Sequence, residues 1–136
     1  MRFVVDSSAV LAVRQAEPER EAFHDLLLRG RPCMSVATQA ELVLVWQARF
    51  GAASLPDLDL MLADYGVVLE PVEASDIVHP RHAVERYAKG RRAEPACLNF
   101  GDLFAYALAR RLDLPLLFKG DDFAQTDVRA VPWRSG

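Results

Sequence analysis

Hydrophobic positions along the chain fall into short apolar runs separated by longer stretches of helical periodicity. Residues 3–5 (Phe-Val-Val) stop at Asp6, the pattern of a strand buried on both faces of a parallel sheet. Ser7-Ser8 offers an N-cap to an apolar helical turn over residues 9–13. Pro18 starts a second helix, with Glu19 and Glu21 in its first turn and Arg29-Gly30 at its close. Residues 33–35 read as a second strand, and Ser35 caps a long helix, Val36–Phe50, ended by Gly51. Residues 55–65 make an amphipathic helix closed by Gly66, residues 67–69 a third strand, and residues 74–89 a helix disturbed at Pro80. Residues 90–98 form a polar, proline-containing loop. Asn99 opens a helix that runs to Leu112; residues 115–118 are a fourth strand and 128–132 a candidate fifth. Short strands alternating with helices predict an α/β fold, a mainly parallel central sheet of about five strands covered on both faces. Ligands of such sheets bind beyond the carboxyl ends of the strands, so the residues just after each strand carry the most weight.

Composition narrows the partners. With 136 residues, 51% of them hydrophobic, the chain reads as one domain spanning 1–136 with a core of its own. Sixteen Lys and Arg against nineteen Asp and Glu leave a net charge of −3. The chain is no polycation, and a nucleic-acid partner would have to meet a local basic patch. Two cysteines, Cys33 and Cys97, exclude a disulfide scaffold and a four-thiolate zinc site, and both are expected as buried reduced thiols. No run of about 18 apolar residues is present, and the N-terminus lacks the apolar core of a signal peptide; the expected location is the cytoplasm, without a membrane.

The acids are distributed unevenly. Asp6 is the only charged residue between Arg2 and Arg14, Glu41 the only one between Arg31 and Arg49, and Asp102 the only one between Glu94 and Arg110. Each stands alone in a strongly apolar stretch, where an unpaired carboxylate is costly. A fourth acidic spot, Asp121-Asp122, directly follows the strand at 115–118. Parallel topology carries all of these to one edge of the sheet. Four acids with little local basic compensation make a site for a hard divalent cation, Mg²⁺ or Mn²⁺, that polarises a phosphoryl oxygen and activates water. Structural explanations stand beside this one: Asp6 as a helix cap, Asp102 in a capping box with Asn99, Asp121-Asp122 as a plain turn, Glu41 as a protonated or capped side chain. Glycine-rich phosphate loops, a nucleophile elbow and the Asp-x-Asp start of haloacid-type phosphatases are absent. His79 and His82 straddle Pro80 and read as solvated surface rather than as zinc ligands.

Four stretches resemble the PIN-domain ribonuclease toxins of the VapC type, the toxic half of type II toxin–antitoxin pairs. Phe3-Val-Val-Asp-Ser-Ser-Ala-Val-Leu11 is similar to the family's hydrophobic-Asp-[ST]-Ser-Ala start. Ser35-Val-Ala-Thr-Gln-Ala-Glu41 resembles its S-x-x-[ST]-x-x-E helix. Asn99-Phe-Gly-Asp-Leu-Phe-Ala-Tyr-Ala-Leu-Ala109 resembles N-[FY]-G-D-x-x-[AS]-Y-x-x-A, and Leu116-Leu-Phe-Lys-Gly-Asp-Asp-Phe-Ala-Gln-Thr-Asp-Val128 the L-L-[FY]-K-G-x-D-F-x-x-T-D-[IV] tail. The resemblance implies a PIN-like three-layer α/β/α sandwich and Mg²⁺-dependent endonucleolytic cleavage of RNA, with Mn²⁺ as substitute. It implies an acidic cluster of Asp6, Glu41 and Asp102. Asp122 occupies the fixed acid of the tail pattern and Asp121 the variable one, and which of them completes the cluster stays open. A homodimer and a VapB-type antitoxin, whose C-terminal segment covers the groove, are implied as partners.

Asp6 and Asp102 are the expected direct metal ligands. Glu41 with Asp121 or Asp122 would complete the shell and orient the attacking water. Between residues 81 and 92 five bases (Arg81, Arg86, Lys89, Arg91 and Arg92) face one acid, Glu85, a strip suited to a phosphate backbone, with Lys119, Arg110 and Arg111 adding charge near the site. The helix Val36–Phe50 carries more apolar surface than one buried face needs, which fits a second subunit. Two other functions use the same residues: a PIN domain that binds RNA or a protein without cutting, and a metal-dependent phosphatase.

Overall fold

The computed structural model describes residues 1–87, 98–124 and 126–133. Four strands form one sheet: β1 (Arg2–Val5), β2 (Arg31–Ser35), β3 (Val68–Glu70) and β4 (Leu116–Leu117). Their order is β3-β2-β1-β4 and every pairing is parallel. In the register, Val4 lies opposite Cys33 on one side and Leu116 on the other. Strand alternation sorts the side chains of β1 between two cores. Phe3 and Val5 enter a large cluster with Phe23, Leu27, Leu42, Trp46 and Leu58. Val4 enters a second cluster with Cys33, Ala105, Tyr106, Leu108 and Leu116. Both faces of the sheet are therefore covered, giving the expected three layers.

The first core is built with α1 (Ser7–Arg14), α2 (Arg20–Arg29), α3 (Val36–Phe50) and α4 (Leu55–Asp64). The second is built with α6 (Phe100–Leu112), against which α5 (Val78–Tyr87) packs. Local chemistry sets these boundaries. Ser35 Oγ accepts from Ala37 N–H at 3.2 Å and caps α3. Gly51 and Gly66, with φ of 88° and 67°, turn the chain out of α3 and α4 in a conformation that disfavours any Cβ. Trp46, fully buried, donates its indole N–H to Ser54 O and fixes the turn after α3. Cys33 is a buried free thiol, and burial pushes its pKa up; Cys97 lies outside the described residues.

Three boundaries differ from the expectations. Asp6, not Ser7-Ser8, is the N-cap of α1, and α2 begins at Arg20 rather than Pro18. Pro80 does not disturb its helix. It occupies the first turn of α5, where its missing N–H has no intrahelical partner to lose, and a separate 3-10 turn, Ala74–Ile77, precedes it. Among the described residues the sheet has four strands rather than five: residues 128–132 contribute one parallel bridge, Ala130 to Leu116. β4 is only two residues long and offers little strand for that bridge to extend along.

Arg111 of α6 fastens the segment after β3 to the second layer. Its Nε meets Asp76 Oδ1 at 2.7 Å, Nη1 meets Glu73 Oε1 at 3.1 Å, and Nη2 donates to Pro71 O at 2.8 Å. Asp76 is buried, so removal of its cation strands a charge. Arg111→Met is expected to lower unfolding stability by roughly 3 kcal/mol in urea denaturation. A loss no larger than that of an exposed pair would show that the clamp is dispensable.

Candidate active site

The carboxyl edge of the sheet gathers the acids that the chain keeps apart. Asp6 follows β1 directly and is buried, 3% exposed. Its Oδ2 accepts from Ser8 N–H at 3.1 Å, which caps α1, while Oδ1 is buried without a hydrogen-bond partner. Asp102 lies in the first turn of α6, 7% exposed. Its Oδ2 accepts from Asn99 N–H at 3.0 Å and its own N–H donates to Asn99 Oδ1 at 2.9 Å. The capping roles of Asp6 and Asp102 are thus real. At Asp6 the cap engages one oxygen and leaves the other orphaned.

Glu41 reaches the same edge from the second turn of α3. Ser7 Oγ donates to its Oε1 at 3.1 Å. Its carboxylate lies over Gly101, where any Cβ would overlap it. Ser8 Oγ accepts from Lys119 N–H at 3.0 Å and fastens the loop after β4 to the start of α1. Asp121 and Asp122 on that loop are both exposed. Asp121 uses its backbone carbonyl to accept from Ala124 N–H at 3.0 Å, and Asp122 is the one of the two whose charge acts on Asp102.

The electrostatics follow from this crowding. Burial raises the pKa of Asp6, and the charge of Glu41 adds to the rise against the hydrogen bond from Ser8. Asp102 is pushed up to about 7, chiefly by burial; the bond from Asn99 opposes the rise, and the charges of Asp6, Asp122 and Glu41 add to it. The charge of Glu41 thus bears on both buried carboxyls, and that of Asp122 on Asp102. Among the described residues, no three His, Cys, Asp or Glu side chains are drawn close enough together to hold a metal ion as they stand.

The expected basic contribution is largely spoken for. Lys119 Nζ pairs with Glu17 at 2.9 Å and Glu19 at 3.4 Å, Arg110 with Asp127 at 3.6 Å, and Arg111 with Asp76 and Glu73. These three are structural cations, not unpaired charges beside the acids. Arg81 pairs with Glu85 at 3.7 Å on the surface. The side chain of Arg86, and Lys89, Arg91 and Arg92, lie outside the described residues. Sequence reading missed the supporting residues Ser7, Ser8 and Gly101. Ser7-Ser8 looked like a cap, and only the approach of α3 and the β4 loop gives these hydroxyls their partners.

Beside Glu41, α3 and α6 form an apolar groove lined by Ala37, Ala40, Leu44, Phe100 and Phe104. Leu44 is 68% and Phe100 75% exposed, an apolar surface contiguous with the acids.

A profile of the PIN domain matches residues 3–129. A ribonuclease VapC of Mycolicibacterium smegmatis is 42% identical over 134 residues, covering 94% of this chain and 98% of the relative. Ribonuclease VapC30 of Mycobacterium tuberculosis is 41% identical over 129 residues, covering 94% and 97%. Among solved structures, VapBC2 from Rickettsia felis, bound to a promoter DNA fragment, superposes with a TM-score of 0.72 at 15% identity over 98% of this chain and 100% of that one. M. tuberculosis VapC20, described as a sarcin–ricin loop cleaving toxin, gives 0.69 at 18% identity over 96% and 99%. At such identities the structural likeness bears on the fold alone.

Asp102 has a testable signature. Its folded-state pKa of about 7 lies above its ordinary 3.8, so the fold holds this proton more tightly than the unfolded chain does. Its contribution to the ion-free fold is full below pH 3.8 and is lost as the pH rises through about 7. In chelator, Asp102→Asn keeps an acceptor for Asn99 and removes the titration. Its Tm relative to the unsubstituted chain is expected to climb between pH 4 and pH 7.5. A difference that stays constant over that range would remove the repulsive cluster.

Proposed function

Because this chain belongs to the PIN-domain family, and VapC ribonucleases match it over nearly its whole length, we propose that it is an endoribonuclease, the toxin of a type II toxin–antitoxin pair. The observation that carries the chemistry is the buried, unpartnered Asp6 Oδ1, in a cluster where burial and neighbouring acids push up the pKa of Asp6 and Asp102. A bound cation would relieve the cost of ionising such a group. Hard oxygen donors without a His or Cys among them suit Mg²⁺, with Mn²⁺ as substitute. Asp6 and Asp102 would hold the ion directly. The long Glu41 side chain and the exposed Asp122 would close on it. Asp122, whose charge acts on Asp102, is favoured over Asp121 as the fourth acid.

A divalent cation bound there supplies charge to stabilise the pentavalent phosphorus transition state of phosphodiester hydrolysis. The chain's own residues do the rest. Asp102, which burial and the neighbouring acids bias toward its protonated form, would have to give up that proton to serve as a ligand. Glu41, held by Ser7, orients the attacking water as an acceptor. α1 and α6 present their N-termini at the same edge, where their dipoles favour negative charge. No covalent enzyme intermediate is required; the catalysis is positioning and electrostatics.

The apolar groove beside Glu41 supports a protein partner, in our reading a VapB-type antitoxin whose chain covers it, and the exposed part of α3 supports a homodimer. The solved neighbours from Rickettsia felis and Haemophilus influenzae are VapBC proteins. Among the described residues no helix is long and apolar enough to cross a membrane, and an RNA substrate favours the cytoplasm as the place of work.

Single-stranded RNA incubated with Mg²⁺ is expected to be cut internally, and EDTA to stop the reaction. Asp6→Asn, Asp102→Asn and Glu41→Gln should each lower the rate about 100- to 1,000-fold with an unchanged circular dichroism spectrum. Asp122→Asn should cost more activity than Asp121→Asn; the reverse order would assign the fourth position to Asp121. Binding without cleavage by the unsubstituted chain would favour the non-cutting reading, and release of phosphate from monoesters the phosphatase.

A further inference from the structure

Gly101 stands in the first turn of α6, immediately before Asp102. Its backbone is not left-handed; among the described glycines only Gly51, Gly66 and Gly120 have positive φ. Alanine would fit this backbone and would favour the helix, so conformation does not account for the glycine. The environment does. A Cβ built on Gly101 would overlap both carboxylate oxygens and Cδ of Glu41. The Glu41 carboxylate occupies the space that a side chain at 101 would take.

On the other side, Ser7 Oγ donates to Glu41 Oε1 at 3.1 Å. Glu41 has three rotatable side-chain torsions and sits on a surface turn of α3, so ordering its tip has an entropic cost that some contact must offset. Two contacts do so: a hydroxyl from the start of α1, and a vacancy on α6 one residue from Asp102. The groups converge from three different helices, and each belongs to a segment that already carries one of the acids.

We infer that Gly101 and Ser7 are positioning residues, a niche that holds the Glu41 carboxylate beside Asp6 and Asp102. This rests on the nuclease reading for its consequence, though not for its geometry. The clash partner is the tip of a flexible side chain, not backbone. Alanine at 101 would therefore displace Glu41 rather than unfold the protein.

The niche is tested without reference to activity by a thermal double-mutant cycle in chelator. In a Glu41→Ala background, Gly101→Ala is expected to raise Tm by about 2 °C, as alanine does at a compatible helical glycine. With Glu41 present, the same change should give a smaller rise or a fall, because the carboxylate must be expelled. Equal shifts in the two backgrounds overturn the niche. On a single-stranded RNA with Mg²⁺, Gly101→Ala should lower kcat about 100-fold with little change in KM, the scale of an ångström-sized misplacement. Gly101→Ala combined with Glu41→Asp should recover at least about tenfold of that loss, since the shorter acid clears the new methyl. Glu41→Asp alone should impair the enzyme. Ser7→Ala should lower kcat and Ser7→Thr should restore it. A Gly101→Ala variant with unchanged kcat overturns the inference. Absence of cleavage by the unsubstituted chain would instead overturn the nuclease reading, and the thermal cycle would still decide the niche.

Discussion

The mutual repulsion of buried carboxylates at one edge of the sheet is the constraint to which the rest of this structure answers. Asp6 and Asp102 are both almost completely buried, and each feels the charge of the other or of Glu41. Parallel pairing makes the crowding unavoidable, because every strand delivers its carboxyl end to the same edge. The fold offsets part of the penalty with helix N-termini. Asp6 caps α1 and Asp102 closes a capping box on α6, so each takes a hydrogen bond from a backbone N–H. Desolvation is still the larger effect at both, and the direction of both pKa shifts shows it.

Other elements keep that edge rigid and acidic. Ser8 ties the β4 loop to α1, Arg111 ties the segment after β3 to α6, and Tyr106 donates to Asp127 at 2.7 Å to fasten the tail. The cations nearest the site in sequence are drawn into such pairs. Lys119 turns to Glu17 and Glu19, and Arg110 to Asp127. This separation of charge is what makes an anionic cluster suited to a cation rather than a set of internal salt bridges. A Lys or Arg inserted among the acids would neutralise them permanently.

The exposed apolar surface lies against this cluster rather than away from it. Leu44 and Phe100 flank the groove that Glu41 lines, so whatever covers the groove also controls access to the acids. A partner seated in that groove would inhibit by simple occlusion, with no conformational relay needed.

The sequence by itself determined four of the five expected strands, the caps of α3 and α6, and which acids stand alone in apolar stretches. Those properties are local: β-branched runs, caps such as Ser35 and Asn99, and a charge alone in an apolar stretch are all legible within one or two turns. Its errors were also local, at the ends of α1 and α2 and at Pro80, where neighbouring residues offer nearly equivalent caps. Only the tertiary structure decided which oxygen of Asp6 caps and which is orphaned, that the charge of Asp122 reaches Asp102, and that Lys119, Arg110 and Arg111 are committed elsewhere. It alone showed why residue 101 is glycine. The group that requires it, Glu41, is sixty residues away in the chain, and a requirement of that kind leaves no periodicity for sequence reading to detect.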